Sequence, residues 1–247
     1  MSATTRDEEI TSGLPENLEA LPRLHGFRLR GIEMTRLETF IDAAFAFAVT
    51  TMVIAADRVS DINGLLAAFR NVPAFIASVA VLGIFWRGHW LWSRRYGLED
   101  GVSIFISWAL LVTILIYIYP LKAIFGSMFY MISDGGVGQA LGVRTGAQAR
   151  SFFAVYAIGF MAVAAEIWLL YLRAWRLREA LRLNPQERHL TRAELIGWCI
   201  PLTVGIAALI LALALPIRLI ALSGWIYFSM AILVPLHRMV MRRRAPR

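Results

Sequence analysis

The chain of 247 residues has a single cysteine and, among its 25 basic residues, a single lysine, Lys122. One thiol, Cys199 within an apolar run, supports neither a disulfide framework nor a cysteine-based metal cluster. The four histidines, at 25, 89, 189 and 237, form no metal-spaced pair. Gly-x-Ser-x-Gly, a phosphate loop and His-Glu-x-x-His are all missing. These absences argue against an enzyme and against a bound cofactor or metal. Charge is also scarce, at 17% of residues, where a soluble domain carries roughly 25%.

Apolar residues fill the chain instead, at 58%. There are 21 uncharged residues between Asp100 and Lys122, 23 between Glu194 and Arg218, and 18 between Arg218 and His237. A membrane-crossing helix needs about 20. The runs do not alternate with period two, which excludes a β-barrel. The expected fold class is an all-α membrane protein with six transmembrane helices, at about 36–56, 72–92, 102–121, 151–172, 195–216 and 218–236. A single helix through 195–236 would be roughly 63 Å long at 1.5 Å per residue, twice the hydrocarbon thickness. Pro216 disfavours such a helix as well, so the last two spans read as a tight hairpin.

The net charge of +8 does not point to nucleic acid, because the basic residues flank the spans. Nineteen of the 25 fall on the side that holds both termini, which places both ends in the cytoplasm. No cleavable signal peptide is visible. The organisation expected is a cytoplasmic tail over 1–35, a six-helix membrane domain over 36–236 and a basic tail over 237–247. Residues 123–150 read as a long, glycine-rich outer loop, with Ala123–Ile132 lying at the interface. The arginine-rich stretch 173–192 reads as a solvated face near anionic lipid.

The first span is the most informative segment. Asp42 lies six residues past Arg36, roughly 9 Å deep at 1.5 Å per residue, where an unpartnered carboxylate is costly. His89, near the end of the second span, falls at a similar depth and is the expected hydrogen-bond partner of Asp42, with Arg36 or Arg87 completing the cluster. Glu166 is a further embedded acid. Such a cluster more often fixes helix packing than moves protons, and no chain of acids crosses the membrane.

Arg36, Phe40 and Asp42 resemble the Arg-x-x-x-Phe-Ser-Asp opening of the bacterial transmembrane protein 175 family, relatives of the endolysosomal potassium channel. Ala43, Phe45, Ala46, Ala48 and Thr50 continue the likeness. Gly83, Trp86 and His89 are similar to the Gly-x-x-Trp-x-x-His of the family's second span, and Tyr119-Pro120 to the end of its third. The resemblance implies a potassium-permeable cation channel in a bacterial inner membrane, a homotetramer whose first helices line the pore. Carried over from Asp42, it places the constriction at Phe47, Thr51 and Ile54, and gives Arg36, Phe40 and Asp42 a packing role with His89 and Trp86 as polar partners. Ile41 stands where the family has serine, Phe47 where it has isoleucine or leucine, and Thr51 where it has leucine. The alternatives from other classes are a secondary transporter coupled through Glu166 and Asp42, and a non-conducting membrane assembly protein of the same fold.

Overall fold

The computed structural model describes residues 17–54 and 61–244. It begins with a small hairpin, β1 (Arg23–Leu24) and β2 (Phe27–Arg28), paired antiparallel. His25 and Gly26 both have positive φ, 52° and 81°, the two-residue turn that matches strand twist. Long helices follow: α1 (Arg36–Ile54), the short α2 (Ile62–Arg70), α3 (Val72–Tyr96), α4 (Gly101–Ile132), α5 (Gly146–Arg176) and α6 (Pro185–Ala214). The segment 217–243 is a run of helical pieces that includes α7 (Leu222–Trp225) and α8 (Met230–Arg243). Among the described residues, α3, α4, α5, α6 and the 217–243 segment are long and apolar enough to cross a membrane.

Polar side chains set the helix boundaries. Thr35 Oγ1 accepts from the Glu38 amide at the start of α1 (3.1 Å), and Asp61 Oδ1 from the Gly64 amide at the start of α2 (2.7 Å). Capping boxes open α5 (Thr145 with Gln148) and α6 (Asn184 with Glu187). Gly97, with φ of 59°, ends α3 in the left-handed conformation.

Two expectations for these elements need correction. α4 does not stop near residue 121 but continues through Pro120 to Ile132. Proline removes one ladder bond, while Ile124 and Phe125 beyond it pack against the core and hold the helix. The connection to α5 is therefore 133–145 rather than 123–150. α6 likewise begins ten residues earlier than the apolar run, because the Asn184-Pro185-Gln186-Glu187 cap starts the helix in charged sequence.

The turn between α6 and the last segment forms at Pro216, as the run lengths imply. Arg150 on α5 secures it. Its guanidinium donates to the carbonyls of Ala212 (3.0 Å), Leu213 (2.7 Å) and Leu215 (2.8 Å), which a helix end otherwise leaves without partners.

The core runs between α3, α4, α5 and α6, around Trp92, Tyr117, Phe160, Ile167 and Tyr171. Trp92 Nε1 donates to the Leu170 carbonyl at 2.8 Å, so the largest buried ring also has its polar atom satisfied. Gly159 lets α5 close on α4: a Cβ there would stand 2.5 Å from the Tyr117 ring. Small residues at crossings are the usual means of close helix approach in lipid.

One end of the bundle is tied by ions. Glu187, at the start of α6, is fully buried and accepts from Arg28 Nη2 (2.8 Å), Arg28 Nε (2.9 Å), the Arg28 amide (3.0 Å) and Arg30 Nη2 (3.0 Å). The hydrogen bond to Glu187 raises the pKa of Arg28 further, so its guanidinium stays charged. The N-terminal hairpin is thereby docked on α6. Arg95 pairs with Glu194 (3.1 Å), and the Tyr96 and Thr191 hydroxyls meet at 2.7 Å, joining the end of α3 to the same helix.

Candidate functional site

α1 packs one face and leaves the other bare. Ile41, Phe45, Ala48 and Met52 are buried, a stripe with helical spacing against α3 and α4. Phe47, on the opposite face, is 61% exposed, and Phe40, Ala43, Ala46 and Thr50 are exposed with it. Thr51, at the edge, is half-buried. Both threonine hydroxyls are turned back onto the helix: Thr50 donates to the Ala46 carbonyl (3.0 Å) and Thr51 to the Phe47 carbonyl (2.9 Å). Ile54 is the last residue of α1, and its side chain lies outside the described residues.

Two contacts hold α1 at its ends. At the start, Glu38 is buried and lies 3.1 Å from Arg94 Nε. Arg94 also donates to the carbonyls of Gly31 (3.1 Å) and Ile32 (3.0 Å). Toward the other end, Lys122 Nζ donates to the Met52 carbonyl at 3.1 Å.

The structure brings Trp86 to Asp42: the indole Nε1 donates to Oδ1 at 2.8 Å. Trp86 in turn stacks on Trp90, with ring centroids 6.3 Å apart. His89 does not join this pair. It is 1% exposed and its Nε2 meets Ser107 Oγ on α4 at 3.2 Å. His89, three residues further along α3, is turned about 60° from Trp86 and meets α4 instead of α1. Phe40 lies against Trp108 of α4, with centroids 5.1 Å apart, and Arg36 is exposed in the first turn. Glu166 accepts from Thr113 Oγ1 at 2.7 Å, between α5 and α4. It and Asp42 therefore belong to different helix pairs.

Sequence reasoning missed Glu38 and Thr50. Glu38 stands four residues before Asp42, so both carboxylates fall on neighbouring positions of one helix surface, and an arginine on the next helix was the signal to seek. Thr50 sits three residues past Phe47 and shares its bare face.

Among the described residues, no group of three or more His, Cys, Asp or Glu side chains is placed to hold a metal ion. The arrangement suits a packed support behind α1 and an open apolar stripe in front, punctuated by threonine.

Comparison with known proteins bears on this geometry. Residues 36–120 match the family described as endosomal/lysosomal potassium channel TMEM175. A curated protein of Marivirga tractuosa named "Potassium channel" is 32% identical over 212 residues, 82% of this chain and 85% of that protein. The crystal structure of a variant of the potassium channel MtTMEM175, solved with a nanobody fusion, superposes with a TM-score of 0.77 at 28% identity, covering 90% of this chain and all of the other. The crystal structure of a homologue, from Chamaesiphon minutus, of the lysosomal potassium-selective channel TMEM175 shares the fold with a TM-score of 0.55 at 22% identity, covering 81% of this chain and 95% of that one.

Proposed function

We propose, from the premise that this chain belongs to the TMEM175 family of potassium channels, that it is a potassium-permeable cation channel whose first helix lines the pore. The bare stripe of α1 centred on Phe47 carries the pore assignment: one subunit buries 41, 45, 48 and 52 and leaves the other side uncovered. Four subunits around an axis would close these stripes on one another. The hydrophobic constriction then comprises Phe47, Thr51 and Ile54, with Thr50 on the same wall. Six spans, α1 and the five long apolar segments, fit the chain, with both termini in the cytoplasm of a bacterial inner membrane. In this reading Arg36, Phe40 and Asp42 serve packing and assembly, with Trp86 as the partner of Asp42.

The test is ion flux in liposomes reconstituted with the purified chain. Potassium uptake that exceeds that of empty vesicles and does not depend on a proton gradient is the expected result. Flux that requires a proton gradient and saturates with a solute would instead identify a transporter, and no flux of any monovalent cation would leave the assembly-protein reading.

Asp42→Ala is expected to remove the Trp86 bond and to lower the fraction of assembled oligomer while leaving the potassium-to-sodium flux ratio of the remaining channels within about twofold. The lost bond corresponds to roughly 1 kcal/mol per subunit. Light scattering in detergent, paired with the flux ratio, reads both. Normal assembly with a changed ion preference would contradict the role.

A further inference from the structure

We propose that Arg94 is the positioning residue of the pore-lining helix: it holds α1 from behind at Glu38 and so sets which face α1 turns to the pore axis. The proposal rests on the reading of α1 as the pore lining.

Glu38 belongs to the packed side of α1. At 3.6 residues per turn it lies within about 20° of Phe45 and about 40° of Met52 around the helix axis, and about 180° from Phe47. The exposures agree: Glu38 is 2%, Phe45 6% and Met52 1% exposed, against 61% for Phe47. A carboxylate therefore stands in line with the apolar stripe that faces the bundle. Its side chain is 1% exposed, and among the described residues neither oxygen accepts a hydrogen bond. Asp42, one turn on, adds a second negative charge on the neighbouring position. What balances Glu38 is the Arg94 guanidinium, whose Nε lies 3.1 Å from Oε1.

Arg94 can serve as a fixed point because its own place is determined. It stands in the last turn of α3, where the next two residues tie that helix to α6. Arg95 pairs with Glu194 at 3.1 Å, and the Tyr96 and Thr191 hydroxyls meet at 2.7 Å. Arg94 Nη1 donates to the carbonyls of Gly31 (3.1 Å) and Ile32 (3.0 Å), and the Arg94 carbonyl accepts from the Gly31 amide at 3.1 Å. The chain that enters α1 is pressed closely on α3 here: a Cβ on Gly31 would stand 2.5 Å from the Ser93 carbonyl oxygen. One residue thus holds both the first turn of α1 and the segment leading into it.

A buried carboxylate that loses its cation is strongly unfavourable. α1 can relieve that cost without unfolding, by turning about its axis until Glu38 meets headgroup water. Glu38 and Phe47 stand on opposite sides of the helix, so the same turn carries Phe47 away from the pore axis. A glutamine at 38 has no charge to relieve and leaves α1 in place. The sign of the charge, rather than the bulk of either side chain, is what orients the helix.

Two measurements on the purified full chain test this: potassium flux into liposomes, and hydrogen–deuterium exchange of the 36–45 segment. R94Q is expected to lower flux about tenfold and to speed exchange over 36–45 about tenfold, with exchange over 160–174 unchanged. E38Q should stay within about threefold of the wild type in both, and E38Q/R94Q should resemble E38Q, because the second substitution removes the charge that the first one strands. A pair that only fills space would behave in the opposite way, with the double variant at least as impaired as R94Q. If R94Q is not monodisperse in detergent, the double variant decides. Its recovery as a monodisperse protein with flux near that of E38Q supports the proposal, and a double variant as defective as R94Q overturns it. Wild-type flux or wild-type exchange in R94Q overturns it as well. A wild type that carries no potassium sinks the pore reading instead, and the exchange of R94Q and E38Q/R94Q still decides whether Arg94 positions α1.

Discussion

Replacing Glu187 with alanine is expected to destabilise the protein by about 3–5 kcal/mol, the range for removing one partner from a buried ionic cluster. The effect is large because one carboxylate serves several groups. Glu187 has no exposed surface and accepts from the guanidiniums of both Arg28 and Arg30, whose side chains are 6% and 1% exposed. It also completes the capping box of α6 by accepting from the Asn184 amide at 3.0 Å. Alanine would leave two buried cations facing each other and the Asn184 amide without its acceptor, while the Asn184 side-chain cap remains. Chemical unfolding in detergent, followed by tryptophan fluorescence, measures the change. Arg28→Ala should cost less, because Glu187 would keep Arg30. A loss under about 1 kcal/mol for Glu187→Ala would mean that water already reaches this cluster.

Phe47→Ala is expected to raise cation flux in liposomes by about tenfold, equivalent to roughly 1.4 kcal/mol off the barrier. An apolar ring opposes permeation by expelling water, and its barrier grows as the rings fill the lumen. Phe47 is the large apolar side chain at the centre of the bare face of α1, and its removal opens no cavity within the subunit. Stability should therefore hold while flux rises. Phe45→Ala is the control: Phe45 is 6% exposed and packed against the core, so its loss should destabilise the fold by a few kcal/mol. Unchanged flux in Phe47→Ala, with a conducting wild type, would remove Phe47 from the permeation path.

Much of this architecture was legible in the residue order. The uncharged runs marked α4, α6 and the last segment, and Pro216 marked the turn between the latter two. Hydropathy did not locate the helix ends, because caps are polar and sit beyond the apolar stretch. Asn184 and Glu187 signal the start of α6 more clearly than the run that follows Glu194. Proline misled at Pro120, where flanking contacts with the core outweigh one lost backbone bond, although the same residue type ends a helix at Pro216.

The functional region was legible in part. Asp42 was recognisable as a group that needs a partner; depth pointed to His89 with Arg36 or Arg87, and Trp86 entered only through the family resemblance. Depth alone does not give direction around a helix axis, so His89 was favoured although it faces Ser107. The docking of the hairpin on α6 left no trace, since Arg28 and Glu187 are 159 residues apart and nothing in the residue order pairs them.

The scarcity of lysine gives Lys122 a use unrelated to its packing. Its ammonium holds the Met52 carbonyl near the end of α1, and it is the one side-chain amine in the sequence. An amine-directed acylating reagent therefore has a single side chain to find, placed where the first helix is tethered to the bundle. The rate at which that amine is modified becomes a clock for release of the helix, readable by mass without introducing any label or substitution.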